Sequence, residues 1–247
     1  MVQTDAMKAV LVRHLSPDLS GVELAEIERP QGEILIRVRA ASLNYPDLLM
    51  TQGKYQFKPD VPFVSGLEMA GEVVEAPDAS GLRPGDKVRG GAKTGAFAEY
   101  AALPAASLRT IPAGLDFASA AAMGAAYQTA YVALVEIGGL RAGQTVLVHG
   151  ASGGVGLVAC DLARAMGAQV IAATRRADKL EQLHTIAKPH AAICNTGRFR
   201  EDVAEITDGR LCDLVYDPIG GDVFDESTRC VTFGGKLLVI GFVSGRI

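Results

Sequence analysis

The chain has 247 residues, 49% of them hydrophobic and 21% charged, with a formal net charge of −4. This length allows one large or two medium domains with a substantial core. The slightly acidic balance gives no reason to expect nucleic acid or an anionic membrane as a main partner. The sequence shows no signal-peptide pattern and no apolar run approaching about 18 residues, so we expect a cytoplasmic protein that does not enter the membrane.

The first half of the chain predicts a compact β-barrel-like domain. Short apolar runs punctuated by Gly and Pro predict strands over residues 7–12, 22–27, 34–40, 66–75, 87–89 and 97–103. The segment Met1–Ala6 is expected to be a short lead-in, and Asn44-Tyr45-Pro46-Asp47 opens a short helix that ends at Gly53. Many short strands without long helices between them are typical of a β-barrel.

From Asp116 onward the sequence predicts helix and then regular alternation. Four residues recur at helical spacing and are predicted to form one apolar face: Tyr127, Tyr131, Leu134 and Val135. Beyond that face, strands are predicted over 145–150, 169–174, 191–195, 213–217 and 236–242, with helices near 154–166, 178–187, 199–207 and 222–232. This alternation indicates an α/β domain with a doubly wound parallel sheet. We place the domain boundary near Met123, which gives domains 1–122 and 123–247.

A glycine-rich loop follows the first predicted strand of that sheet. The strand from Thr145 stops at Gly150, and an apolar-periodic helix closed by Gly167 begins after the loop. Strand, glycine turn and helix N-terminus are what a dinucleotide pyrophosphate requires, because missing Cβ atoms and free N–H groups let the phosphates approach the backbone. The predicted cofactor-binding residues here are Gly150, Ala151, Ser152, Gly153, Gly154, Val155 and Gly156.

The end of the next strand indicates which dinucleotide binds. NAD-preferring sites usually carry Asp or Glu about 20 residues past the glycines, to accept from the ribose 2′-hydroxyl. This chain instead has Arg175, Arg176 and Lys179, with Asp178 the only nearby acid. Guanidinium and ammonium groups suit a 2′-phosphate, so we predict NADP(H); the alternative is a solvated strand end that happens to be basic.

Several motifs in order resemble one family. They are Ser42–Asp47, Pro62–Gly71, Gln144–Gly156, Asp217–Gly221 and Gly241–Gly245. Over residues 7–247 the chain resembles the medium-chain dehydrogenase/reductases, and within them the zinc-free quinone oxidoreductases of the ζ-crystallin type. The resemblance implies a β-rich GroES-like N-terminal domain that binds substrate and a Rossmann domain that binds the dinucleotide. Two departures are Asp161, where Gln is usual, and Thr196, where many members have a Tyr beside the adenosine.

The resemblance also implies that no metal is bound. Zinc-dependent alcohol dehydrogenases have a Cys just before the first-domain helix and a His in a Gly-His-Glu turn. The matching positions here are Asn44 or its neighbours and Leu67, which cannot complete a three-ligand zinc site. No cysteine precedes Cys160, so the structural zinc lobe is missing too. Hydride transfer to a quinone or an activated C=C bond needs no metal.

By resemblance, Asn44, Asp47 and Tyr55 would lie near the nicotinamide and hydrogen-bond the substrate carbonyl or the ribose. Alternatively, Asn44 and Asp47 are a helix N-cap with an acid in the first turn, and Tyr55 fills the loop after Gly53. The resemblance assigns further nicotinamide contacts to Thr129, Phe242, Val243 and Ser244. His149 is expected to pack or cap rather than to catalyse.

The predicted function is NADPH-dependent reduction of a small-molecule quinone or α,β-unsaturated carbonyl, which includes enoyl thioesters. The alternative is a non-catalytic NADP(H)-binding or structural protein on the same fold. Family members continue past Gly245 with another strand and a segment that returns to the first domain, so we expect both domains to be incomplete here. The apolar strand at 237–240 would then lie at the edge of the sheet with unpaired backbone groups, which favours homo-oligomers. We also expect a longer chain, with the next strand present, to be more stable.

Overall fold

The structure is a computed structural model that describes residues 6–246. Most of the lead-in predicted for Met1–Ala6 therefore lies outside the described residues, and Ala6 itself begins the first strand. The chain divides after Ala125 into two compact units, which are described separately. Between residues 6 and 246, no helix combines the length and the apolar character that crossing a bilayer requires.

The N-terminal unit consists of two antiparallel sheets and two short helices. Its strands are β1 (Ala6–Val12), β2 (Val22–Glu28), β3 (Ile34–Ser42), β4 (Phe63–Val64), β5 (Glu68–Glu75), β6 (Lys87–Gly91), β7 (Tyr100–Leu103) and β8 (Leu108–Thr110). The sheet orders are β2-β1-β4 and β7-β3-β5-β6-β8. The helices are α1 (Tyr45–Thr51) and α2 (Phe117–Ala122), and Asp116 caps α2 by accepting from the Ser119 amide at 2.9 Å.

Alternating side chains build the core of this unit. Ile34 and Ile36 of β3 are buried with Met69 and Val73 of β5 and Val88 of β6, which is the period of two that half-buried strands require. The expected β-rich domain is thus present. Strands β4 and β8 were not predicted, because two or three residues are too few to establish an alternating pattern.

The C-terminal unit is a parallel sheet with helices on both faces. Its strands are β9 (Thr145–Val148), β10 (Gln169–Thr174), β11 (Ala191–Cys194), β12 (Cys212–Asp217) and β13 (Val231–Val239), in the order β11-β10-β9-β12-β13. Its helices are α3 (Ala125–Tyr131), α4 (Gly154–Ala165), α5 (Leu180–Ile186), α6 (Arg200–Ile206) and α7 (Asp222–Ser227). The strand order reverses between β9 and β12, and the crevice at the carboxyl ends of such strands is where doubly wound sheets bind ligands.

Each strand of this sheet contributes to two cores. Val146 and Val148 are buried with Ala159 of α4 on one face, whereas Leu147 is buried with Val203 of α6 on the other. Such strands are apolar on both sides, which explains the continuous apolar runs in the sequence. The predicted α/β fold is confirmed.

The apolar face predicted for the helix after Asp116 was right only for Leu134, which is buried, and wrong for Tyr131, which is exposed. The residues actually buried there are Ala126, Ala130, Ala133 and Leu134. Tyr131 is 49% exposed, and the half-buried Tyr127 donates its hydroxyl to Asp161 Oδ2 at 2.7 Å. Small alanines let the helix lie close to its neighbours, and a π-helical turn over Val132–Ile137 shifts the register of the face.

The last predicted helix and strand also have different bounds. Helix α7 ends at Ser227, so the helix predicted to residue 232 was too long, and β13 already begins at Val231. Cys212 pairs with Val231 but Leu214 pairs with Lys236, so β13 contains extra residues at a bulge. Phe233 within this bulge is fully exposed, and residues 240–246 leave the sheet.

Candidate functional site

The loop after β9 folds tightly against its neighbours. Gly150 has φ of +59°, and a Cβ there would lie 3.3 Å from Pro218 and Ile219 side-chain atoms, so the position favours glycine. The Ala151 amide donates to the Ala173 carbonyl at 3.1 Å, and the Gly153 amide donates to the Gly150 carbonyl at 2.8 Å. The turn is therefore held in place by backbone hydrogen bonds before α4 begins.

Helix α4 starts close above this turn. A Cβ at Gly156 would lie 2.3 Å from the Gly150 carbonyl oxygen, which only glycine avoids. By contrast, Gly153 and Gly154 are exposed, and a Cβ at Gly154 would meet nothing within 4 Å. The first amides of this twelve-residue helix thus face open space at its positive end. That arrangement fits a phosphate group.

The cations predicted to bind a 2′-phosphate are not equivalent. All of them follow β10, whose last residue, Thr174, lies 3.3 Å from the Ser152 hydroxyl of the glycine loop. Arg175 is exposed and lines a groove of about 300 Å³. Arg176 instead forms an ion pair with Asp178, which lowers the pKa of that carboxyl. Lys179 is half-buried at the start of the following helix.

The groove beside Arg175 lies at the carboxyl ends of β10, β11 and β12. Thr196 and Ser244 line it together with the turn after Asp217. The segment after β13 reaches the groove because the Ser244 amide donates to the Ile219 carbonyl at 2.9 Å. Of the predicted contacts in this segment, Phe242 and Val243 are half-exposed, at 53% and 54%. Arg246 is held there by ion pairs with Asp222 and Asp225.

Asp217 shapes this turn, although in the sequence it was recognised only as the first residue of a family motif, without a role. Its Oδ1 accepts from the amides of Ile219 at 2.8 Å and Gly220 at 3.1 Å. Burial raises the pKa of the Asp217 carboxyl, and these hydrogen bonds oppose the rise. An acid at the end of an apolar strand and before Pro-Ile-Gly-Gly is the signal that could have revealed it.

His149 lies entirely inside the C-terminal unit, directly before Gly150. Asn195 Nδ2 donates to its Nδ1 at 2.8 Å, so Nε2 carries the proton and donates to Ser227 Oγ at 2.7 Å. The Ser227 hydroxyl in turn donates to the Val223 carbonyl at 2.6 Å. Burial lowers the pKa of His149 to about 3, so the imidazole is neutral. This is the packing role that the sequence suggested.

A separate polar cluster in the N-terminal unit contains two predicted catalytic residues. Asn44 stands at the N-cap of α1, and its backbone amide donates to Asp47 Oδ2 at 2.8 Å. Asp47 is 1% exposed; burial and the charge of Glu68 raise the pKa of its carboxyl, while the Asn44 amide lowers it. Glu68, which was not predicted, accepts from Asn44 Nδ2 at 2.8 Å. An acid inside the apolar run from Phe63 to Ala70 was the available signal.

The remaining predicted site residues lie elsewhere. Tyr55 is half-buried against an apolar cluster that contains Val12, Met50 and Phe63, as expected if it fills the loop after Gly53. Thr129 is half-buried on α3. Among residues 6–246, no three His, Cys, Asp or Glu side chains are grouped so that they could hold a metal ion.

Known proteins resemble this chain over both units. The family described as alcohol dehydrogenase GroES-like domain matches residues 30–113, and the family described as zinc-binding dehydrogenase matches residues 154–247. Quinone oxidoreductase-like protein 2 homolog of Nematostella vectensis is 38% identical over 218 residues, which are 87% of this chain and 60% of the relative. The mouse Quinone oxidoreductase-like protein 2 is 33% identical over 244 residues, 97% of this chain and 69% of its own length.

Solved structures agree with these matches. Mycobacterial Rv1454c, whose structure is described as complexed with NADPH, superposes with a TM-score of 0.87 at 28% identity and covers 98% of this chain and 76% of its own. This chain is therefore shorter than the proteins it matches, spanning 60% of the Nematostella relative. It belongs to the medium-chain dehydrogenase/reductase superfamily, among the quinone oxidoreductase-like proteins.

Proposed function

We propose that the chain binds NADP(H) and, without a metal, reduces a quinone or an α,β-unsaturated carbonyl compound. The observation that carries this proposal is the loop at the strand-order switch point, where Gly156 lies against the Gly150 carbonyl and the α4 amides remain open. The NADPH complex of a structural neighbour supports the choice of dinucleotide. The names of the relatives support a quinone as substrate.

Different residues of the C-terminal unit would bind different parts of the cofactor. The amides from Gly154 to Gly156 would hold the pyrophosphate, and Arg175 with Lys179 would neutralise the 2′-phosphate. Thr129 and residues 242–244 would contact the nicotinamide half. Bound NADPH would supply the hydride, and the protein would orient the two reactants.

The residues of the N-terminal unit would orient the reacting groups. Asn44, Asp47 and Tyr55 are the candidates, and Asp47 acts through the backbone of Asn44 because its own carboxylate is buried. Leu67 occupies the position at which zinc-dependent relatives have a histidine, and its side chain offers no lone pair to a metal. A site without a metal suits a substrate whose carbon is already electrophilic, because no metal is then needed to activate it.

Turnover by the purified chain tests the proposal. NADPH oxidation is followed with a simple benzoquinone, an enone and an enoyl thioester, each with and without a chelator, and NADPH binding is measured separately by fluorescence. Arg141→Ala is the matched control, because the exposed Arg141 precedes β9 and so lies at the opposite end of the strand from the glycine loop. Turnover of at least one acceptor is expected. Binding without turnover of any acceptor would favour the non-catalytic alternative, and no binding would overturn both.

A further inference from the structure

The outer face of the sheet β7-β3-β5-β6-β8 in the N-terminal unit carries a group of basic side chains. Ile36, Val88 and Leu108 belong to the core of this unit, so the residues next to them on each strand point outward. Five cations on the outer face form what we call the basic strip: Arg37 and Arg39 of β3, Lys87 and Arg89 of β6, and Arg109 of β8. Four of them are exposed and Arg89 is half-buried.

Three cations of the basic strip surround a single carboxylate. Glu72 of β5 accepts from Arg39 Nη2 at 2.8 Å and from Arg39 Nε at 3.2 Å. Arg37 and Lys87 are the cross-strand partners of Glu72 on its two sides. The hydrogen bonds from Arg39, together with the charges of Arg37 and Lys87, hold the pKa of the Glu72 carboxyl below its usual range. The basic strip therefore already binds one carboxylate and keeps an excess of positive charge.

The other two cations of the strip face each other. Arg89 and Arg109 are directly opposite on β6 and β8, an arrangement that destabilises a sheet when the charges are alike. Arg109 Nη1 donates to the carbonyls of Ala106 at 2.9 Å and Leu108 at 2.6 Å, which holds the guanidinium in place with other N–H groups left over. Within residues 6–246 neither arginine forms an ion pair. A carboxylate from outside the chain would relieve their repulsion.

The other sheet of the same unit is arranged differently. Lys8 of β1 is directly opposite Glu26 of β2, and Arg13 forms an ion pair with Glu23 at 2.7 Å. Opposite charges on neighbouring strands stabilise a sheet. The unmatched cations of the basic strip are thus not a general property of this unit, and they occur in a chain whose formal net charge is −4.

The acids next to the strip do not neutralise it. Asp86 accepts from a backbone amide of its own turn at 2.7 Å, and Asp116 caps α2, which packs on another part of the same face. Glu75 lines a groove together with Arg29, so these two charges offset each other. Even when Asp86 and Asp116 are counted with Glu72, the cations of the strip outnumber the acids.

The surroundings of the strip favour carboxylates over nucleic acid. Single-stranded nucleic acids bind where bases can stack on aromatic rings. The aromatic residue beside the strip is Tyr100, and its ring centre already lies 4.1 Å from the Arg29 guanidinium and 5.8 Å from that of Arg37. Arginine also binds carboxylates well, and Glu72 is an example within the strip itself.

We propose that the basic strip is a docking surface for an acidic segment of another protein. Carboxylates of that segment would contact Arg37, Lys87 and the opposed pair Arg89 and Arg109. Complementary charge of this kind speeds association and selects the partner more than it raises affinity. The surface lies within one sheet, and the proposal is independent of the proposed function.

A labelled peptide tests the proposal on the full chain. Fluorescence anisotropy measures the binding of a fluorescein-labelled peptide of alternating Glu and Ser, of the same peptide with Gln in place of Glu, and of a short single-stranded DNA. The Glu peptide is expected to bind, with an affinity that falls as salt is added. The Gln peptide should not bind, and the DNA should bind more weakly than the Glu peptide.

Substitutions on the two sheets locate the surface. Arg89→Gln combined with Arg109→Gln should weaken binding of the Glu peptide roughly three- to tenfold, the effect of losing two exposed charge contacts. Lys8→Gln combined with Arg13→Gln is the matched control, because it removes the same charge from the other sheet, and it should keep the affinity. Thermal midpoints show that the variants fold. Lys87→Gln takes the place of the double arginine variant if that one does not fold.

Glu72→Gln should have the opposite effect and strengthen binding, because it removes the acid and frees Arg39 for the peptide. A general attraction to positive charge would weaken binding equally in the two double variants, which would overturn the proposal. Weaker binding by Glu72→Gln, or no binding of the Glu peptide by the unaltered chain, would overturn it too. DNA that binds more tightly than the peptide through Arg89 and Arg109 would show that the strip takes nucleic acid instead.

Discussion

The guanidinium of Arg176 contacts the carboxylate of Asp178 twice, from Nε to Oδ1 at 2.8 Å and from Nη2 to Oδ2 at 2.5 Å. This two-point contact uses the donor geometry that would otherwise face a phosphate. Arg175 has a different environment, because it lines the groove at the carboxyl end of β10. Two arginines that are adjacent in sequence should therefore contribute unequally to cofactor choice.

Arg175→Ala should lower the affinity for NADPH much more than the affinity for NADH. Loss of a charge-assisted contact to the 2′-phosphate costs on the order of 1.5–3 kcal/mol. Arg176→Ala should have a smaller effect, because its guanidinium is already paired with Asp178. Dissociation constants for both cofactors check this, with Arg141→Ala as control. If the two substitutions lowered the NADPH affinity equally, the predicted difference between the arginines would be wrong. If the unaltered chain bound NADPH and NADH equally well, the predicted preference for NADPH would be wrong.

Two glycines in the first turn of α4 should respond in opposite ways to alanine. Gly156→Ala should lower the thermal midpoint and abolish NADPH binding, because the new Cβ would lie 2.3 Å from the Gly150 carbonyl oxygen. Gly154→Ala should leave the midpoint unchanged or raise it, since its Cβ has free space at the first position of α4 and the unfolded chain loses freedom. Thermal unfolding of the two variants side by side decides this. Similar midpoints would show that the helix does not start close above the turn.

His149 should make the fold sensitive to acid. Burial lowers its pKa to about 3 from the ordinary value of 6.5. Between these values the unfolded chain binds a proton that the folded chain does not, so stability falls as the pH falls. The expected slope is about 1.4 kcal/mol of unfolding free energy per pH unit. Asp47 and Asp217 act in the opposite direction, because burial raises the pKa of both.

Urea unfolding at a series of pH values isolates the contribution of His149. His149→Gln should unfold with a shallower dependence on pH than the unaltered chain between pH 6.5 and pH 3. The exposed His190 provides the matched control, and His190→Gln should keep the parental slope. Identical slopes in all three proteins would mean that the imidazole takes up its proton without unfolding.

Turnover, where it is found, should survive prolonged chelation. The reason is Leu67, which stands where zinc-dependent relatives have a ligand, together with the absence of cysteine before Cys160. Metal analysis of the purified chain should find no stoichiometric zinc. Activity that disappears with a chelator and returns with added zinc would show that the metal-free assignment is wrong.

The sequence predicted the two folds because their patterns are local. Alternation in β3 and the apolar runs of β9 and β10 each fit one period, and glycines mark the turns between strands. The buried face of α3 could not be obtained in this way. Alanines at 126, 130 and 133 are weak hydrophobic markers, and the π-helical turn that follows changes the spacing. The bulge in β13 likewise depends on pairing with β12.

For a similar reason, only part of the candidate site could be predicted from the sequence. The glycine loop and the basic strand end are contiguous in the sequence, so their grouping could be predicted. Glu68 and Asn44 are 24 positions apart and meet only because β3 and β5 pair antiparallel. The pairing of Arg176 with Asp178 is local, yet side-chain geometry and not residue type decides that it forms.

The hydrogen bonds around His149 have a thermodynamic consequence for whatever binds at the glycine loop. His149 connects the end of β9 to Asn195 after β11 and to Ser227 in α7, so the residue preceding Gly150 is immobilised from two sides. Backbone bonds fix the next residues of the loop. Little conformational entropy is then left to lose when a phosphate arrives, and more of the contact energy is retained as affinity. A histidine that never touches the ligand would in this way strengthen its binding.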